Sequence, residues 1–238
     1  MHCLTPCARL SVSIMLGVHM LTGFGTTADT TTGGLFIEGG GEAGKIERLP
    51  DGNIRLGLIT VDPARREISF PATVNQLAGP IEVLIANPHG RVHESLLRSQ
   101  VRPLHLQTVL YLLKLSNGAR AATGGEQQGD LVDIDIEWKP PQGAPRRRPV
   151  EDWLHDTRTD SRAKRQGWVF VGSRVRNGLF LAGPAGNLAV TYSVPDTVLD
   201  TPDPEGHDDT LFQAVPVEGG PEVDDAVTVS ITPREEPS

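Results

Sequence analysis

The sequence predicts an α+β domain, a mainly antiparallel sheet of about eight short strands with one principal buried helix over 103–115. Three observations carry this. Short apolar runs alternate with polar residues at a period of two across much of 54–232. A single stretch keeps a clear helical period. Neither strand–helix–strand alternation nor an internal repeat runs through the chain, which argues against parallel α/β folds and solenoids.

The elements follow in order. Arg9 closes a short basic start, 10–25 is apolar and uncharged, and Thr26 and Ala28 flank a cleavage point, so 1–28 reads as a secretory signal peptide. Sixteen apolar residues are short of the roughly 20 that span a bilayer. Residues 29–45, rich in Thr, Gly and Ala, read as a flexible leader, 46–233 as a single domain and 234–238 as a free tail.

Within the domain, 54–58 and 67–70 read as two strands joined at Asp62-Pro63. Residues 81–86 suit a strand, 87–90 a turn, and 92–95 an antiparallel return. The helix opens on Pro103 with Leu106, Val109, Leu110 and Leu113 on one face. Leu104, Leu112 and Leu115 widen the apolar surface nearly all round, and Asn117-Gly118 supplies the stop.

After a polar loop at 124–130, Val132, Ile134, Ile136 and Trp138 alternate with Asp133, Asp135 and Glu137, a strand with one face buried. A Pro- and Arg-rich loop containing Arg146, Arg147 and Arg148 follows, then an amphipathic helical turn around Trp153 and Leu154. Strands are expected at 168–171, 179–182 and 188–192, in antiparallel hairpins, and 201–209 and 218–225 read as loops. Val227, Val229 and Ile231 mark a last strand.

Composition narrows the chemistry. Both cysteines, Cys3 and Cys7, lie in the segment to be removed, so neither an iron–sulfur cluster nor haem, disulfide or thiolate-bound zinc is expected in the exported protein. The cysteines also precede the apolar run, whereas lipid attachment requires one directly after it. Cleavage takes one arginine and no acid, turning a formal charge of −8 into −9. Nucleic acid is not the expected partner of such a surface, and 146–148 reads as a solvated loop. The expected location is periplasmic or extracellular, with no membrane span after cleavage and a small ligand, a metal or another exported protein as partner.

Five blocks resemble a known family. The run GPIEVLIANPHGRVHESLL at 79–97, PLHLQT at 103–108, WVFVGS at 168–173, GNL at 186–188 and DDTLF at 208–212 are similar, in this order, to the YdjY domain family. The resemblance implies an exported bacterial protein and brings no biochemical activity with it. Some members are described as ferredoxin-like, a label that a mature chain without cysteine does not fit.

The candidate site residues are His93, Glu94, His105, Ser173, Asp208 and Asp209. Imidazole and carboxylate are the usual ligands of zinc-like metals when thiols are absent, which singles out His93, Glu94 and His105. Adjacent residues of a strand point to opposite faces, so His93 and Glu94 meet only if the chain bends between them. Otherwise Glu94 and His105 pair to tie the 92–95 segment to the helix, or act as acid and base. Ser173 follows Gly172 but lacks the second glycine of a nucleophile elbow. Asp208 and Asp209, beside His207, suit a metal or an Asx turn. Asp133, Asp135 and Glu137 share a face that a divalent cation or plain water could occupy.

Two functions remain open. One is an extracytoplasmic binding or accessory domain with a pocket near 92–105, and the other a metal-dependent hydrolase using His93 or His105 with Glu94.

Overall fold

The computed structural model describes residues 44–123 and 128–235, so the expected signal peptide and nearly all of the expected leader lie outside the described residues. The described part opens with β1 (Ile46–Arg48), β2 (Ile54–Leu56), β3 (Ile59–Asp62) and the long β4 (Glu67–Val74), each antiparallel to the one before. Gly57, at φ +59°, turns the chain between β2 and β3. The single strand expected at 54–58 is therefore split, because a left-handed residue cannot continue a pleat.

Next come β5 (Gly79–Pro80), β6 (Val83–Ala86), a 3-10 turn at Val92–Glu94, β7 (Ser95–Arg98) and helix α1 (Pro103–Leu112). They are followed by β8 (Leu131–Trp138), β9 (Arg146–Pro149), a 3-10 turn at Val150–Trp153, β10 (Leu154–Asp156), β11 (Ser161–Arg162) and β12 (Trp168–Phe170). A hairpin of β13 (Val175–Arg176) and β14 (Leu179–Phe180), the short helix α2 (Ala182–Ala185), β15 (Asn187–Val190), β16 (Thr197–Asp200), β17 (Phe212–Ala214) and β18 (Ala226–Pro233) complete the order.

Twelve strands share one sheet, and eight of them close on themselves in the order β4-β18-β8-β12-β16-β15-β6-β7, with β7 returning to β4. One edge of β4 serves two partners: Glu67, Ile68 and Ser69 pair with β3, and Thr73 and Val74 with β7. Pro71, with no N–H to donate, stands at the changeover. A smaller sheet, β11-β10-β17-β5, lies beside the ring. The protein is mainly sheet, 40% strand against 12% helix, with many more strands than the eight expected. Most of the additional strands are two or three residues long, too short to leave an alternating pattern.

The ring is not wholly antiparallel. β15 pairs with β16 in parallel, and β6 with β7, where an antiparallel return was expected. Instead of folding straight back at 87–90, the chain makes a further turn at Val92–Glu94. The Asn75 amide, just past β4 and 3.0 Å from the Ser95 carbonyl oxygen, anchors the start of β7, and the Glu82 N–H donates to Glu94 O at 3.1 Å, which sets that turn beside the start of β6.

Alternation serves best where one face is wet. Val132, Ile134, Ile136 and Trp138 of β8 are buried, as are Val227, Val229 and Ile231 of β18, which lies between β4 and β8. Each such side chain contributes on the order of 1.5–3 kcal/mol by burial. Leu106, Val109 and Leu110 of α1 reach the same core, whereas Tyr111 and Leu112 are 46% and 42% exposed. The helix is thus not enclosed all round. It ends at Leu112 rather than at Asn117-Gly118, because Lys114 takes φ +64° and turns the chain out.

Candidate functional site

The six expected site residues fall into four places. His93 and Glu94 lie in the 3-10 turn before β7, and the bend puts His93 Nε2 at 3.4 Å from Glu94 Oε1. That bend is what a straight strand would have denied them. Arg91 completes the turn, bonding to Glu82 at the start of β6 and standing 3.7 Å from Glu94. Burial, and then the neighbouring Glu94 carboxylate, push the Glu82 carboxyl above its ordinary range against the pull of Arg91, and the charge of Asp209 adds to the effect. Glu94 and the charge of Asp209 therefore act on a further acid, Glu82, that was not singled out.

His105 is elsewhere. Glu94 precedes the first residue of β7 and His105 follows its last by seven positions, so the length of β7, about 13 Å of extended chain, lies between the two. The Glu94–His105 pair considered from the sequence is not formed. The imidazole packs instead against the backbone of two glycines: a Cβ on Gly44 would come within 2.6 Å of Nε2, and one on Gly57 within 2.6 Å of Nδ1. Burial, aided by the positive charge of Arg102, lowers its pKa and so favours the neutral ring. It borders a cleft of about 480 Å³ whose other walls include Gln100, Val101, Arg102, Leu58 and Gly57.

Ser173 is buried, with its Oγ accepting from the Ala182 N–H at 2.9 Å and its own N–H donating to Gln107 Oε1 at 2.8 Å. The hydroxyl thus holds the first N–H of α2, and the backbone N–H ties the residue to α1. Asp208 forms the Asx turn, accepting from the Thr210 N–H at 2.9 Å and the Thr210 hydroxyl at 2.7 Å, contacts that hold its carboxyl below the ordinary range.

The acids of β8 face arginines rather than water alone. Arg147 contacts Asp135 at 3.0 Å, Glu137 at 2.9 Å and Glu67 at 2.7 Å, while Arg165 and Arg234 take Asp133 at 3.5 and 2.7 Å. Arg146, Arg147 and Arg148 are not a solvated loop: they form β9, paired along β8. Arg234, assigned to the free tail, is held by this bond and by its N–H donating to Leu131 O at 2.9 Å.

One group escaped the sequence reading altogether. Glu151, 4% exposed, accepts from Trp168 Nε1 at 3.1 Å through Oε1, while Oε2 has no partner. Burial pushes its carboxyl up to about 7. A small cavity of about 20 Å³, room for one water, adjoins it, with Asp156 and Asp203 on its walls, both already bonded to Arg158. Acids set between Val150 and Trp153 were the only hint. Among the described residues, no group of three or more His, Cys, Asp or Glu side chains is arranged to hold a metal ion.

The family model of the YdjY domain matches residues 59–230, from the start of β3 into β18, and so reaches all eight strands of the closed ring. The chain belongs to the YdjY domain family. No curated protein and no solved structure matches it. The match extends over every block that suggested the resemblance. It also sets apart what the YdjY domain model covers, including His105 and α1, from β1 and β2, which lie before it. Gly44 and Gly57 thus close the His105 cleft from outside the matched region.

Proposed function

We propose that this YdjY domain is an exported binding or accessory module, and that its ligand, a small anion, sits in the cleft beside His105. The observation that carries the reading is the cleft itself, lying at the end of the 92–105 segment where a pocket was expected. It opens at the N-terminus of a ten-residue helix whose cap position, Arg102, supplies no side-chain cap. The helix dipole favours negative charge there, and Arg102 adds a cation. A neutral imidazole held between two backbones can donate one hydrogen bond and accept another. Export is supported by the order of basic, apolar and small residues over 1–28.

The alternative, a metal-dependent hydrolase, needs His93 or His105 to converge with Glu94 on one ion. His93 and Glu94 do adjoin, in an exposed turn, but β7 separates them from His105.

The test is an NMR titration of the His105 imidazole against acetate, succinate and inorganic phosphate. A bound anion should raise the pKa of the ring, saturably, and Arg102→Gln should weaken the effect at least tenfold. If no anion in the set moves His105, or if Arg102→Gln responds like wild type, the anion-site reading fails. Metal analysis of protein purified without chelators addresses the hydrolase, which requires stoichiometric metal lost in Glu94→Ala.

A further inference from the structure

Acidic residues are absent from two long stretches of an acidic chain. Residues 95–125 contain Arg98, Arg102, Lys114 and Arg120 with no Asp or Glu, and residues 161–195 contain five Lys or Arg, again with no acid. The fold packs these stretches together: Gln107 of α1 accepts from the Ser173 N–H, and Asn117 donates to Val171 O at 3.2 Å while its own side-chain oxygen accepts from the Tyr111 hydroxyl at 2.9 Å. They also hold four of the six large apolar side chains exposed among the described residues, Tyr111 and Leu112 on α1 and Val175 and Leu179 on the β13–β14 hairpin.

The hairpin is the most exposed part of these stretches. It is a two-stranded sheet of its own, turned by Asn177 at φ +53° and Gly178 at φ +77°. Val175 and Leu179 are 67% and 53% exposed, and Arg174 and Arg176 flank the first of them, exposed as well. Among the described residues Arg174, Arg176 and Lys114 form no ion pair. By the register of the hairpin Val175 lies across from Phe180 and Leu179 across from Arg176, so the two apolar side chains leave opposite faces of a ribbon that enters a surface tip first. Apolar side chains at such a tip, set among unpaired cations, suit a partner that offers negative charge over an apolar layer.

We propose that the β13–β14 hairpin binds the surface of an anionic lipid bilayer. A lipid surface fits better than a protein because the patch is small and the hairpin stands apart from the main sheet. Four partly exposed side chains fall far short of the ~800 Å² that a stable protein interface takes from each partner. A bilayer requires no shape complementarity: apolar side chains enter the headgroup boundary, and each nearby arginine adds attraction to anionic lipid. The inference does not depend on the His105 cleft.

The test is co-sedimentation of the full chain with vesicles of equimolar phosphatidylcholine and phosphatidylglycerol, or of phosphatidylcholine alone. It is read as the difference between wild type and variants, so that the apolar 10–25 stretch contributes equally to each. Val175→Ser/Leu179→Ser and Arg174→Ser/Arg176→Ser should each lower affinity for the anionic vesicles by roughly tenfold or more, as the loss of two apolar insertions or two cations implies. Only the arginine pair should lose its effect in high salt. Unchanged melting temperatures establish that the exposed substitutions leave the fold intact. The proposal is overturned if both double variants bind anionic vesicles like wild type, or if the two vesicle types bind all chains equally. It is also overturned if the apolar pair instead abolishes a dimer of this chain, which would make the face a self-interface.

Discussion

At the scale of single residues, the tightest constraint lies where Gly57 meets His105. Gly57→Ala combines a positive φ, which costs an alanine roughly 1–2 kcal/mol, with a Cβ 2.6 Å from the ring, a clash of roughly 1–3 kcal/mol. Introduced into His105→Ala protein, the same change should keep only the first part. Denaturant unfolding of the four proteins in this cycle measures the difference, and equal losses in both backgrounds would refute the close approach. Glu151 poses a different problem. Its carboxyl is raised to about 7 in the folded protein from an ordinary 4.5, so the folded state disfavours the charged form. Stability contributed by this group is therefore full below about pH 4.5 and falls as pH rises to 7, by on the order of 3 kcal/mol. Glu151→Gln, which cannot ionise and keeps an acceptor for Trp168, should be more stable than wild type at pH 8 and lack this slope. Parallel unfolding curves at pH 5 and pH 8 for both proteins would rule the buried charge out. Neither residue could be read from the sequence, since a glycine beside an imidazole 48 positions away is a tertiary neighbour.

At the scale of elements, β8 was legible from end to end because a half-buried strand writes its own period, with Val132, Ile134, Ile136 and Trp138 inward. Its outer face was legible only in part. Asp133, Asp135 and Glu137 announced a polar surface, but the arginines that meet them come from β9, 165 and 234. Arg147→Met should cost about 1–3 kcal/mol, since Asp135 and Glu67 are mostly buried beneath it, and the loss should shrink in molar salt. A melting temperature that does not change with this substitution would show the triad to be a solvated surface after all. The same limit explains β7. The apolar character of Leu96 and Leu97 identifies a strand, yet parallel or antiparallel pairing depends on a turn at Val92–Glu94 that Asn75, far upstream, helps to hold.

For the whole molecule, closure of the ring is the decisive event, and the last strand makes it. β18 pairs along β4 on one side and β8 on the other, so no ring exists until the C-terminal residues are in place. A chain ending at Asp225 should show no cooperative unfolding transition and no near-ultraviolet circular dichroism, whereas loss of a dispensable terminal strand would leave both. The sequence by itself determined the family, the mainly-sheet character with one principal helix, and the inward faces of β8 and β18, because family motifs and binary patterns are local and survive without contacts. Only the tertiary structure decided that eight strands close on themselves, that His93 and Glu94 lie a strand's length from His105, and that two acid-free stretches pack together. Those outcomes join residues tens to more than a hundred positions apart, and a pattern of near neighbours holds no record of which distant strand supplies the missing edge.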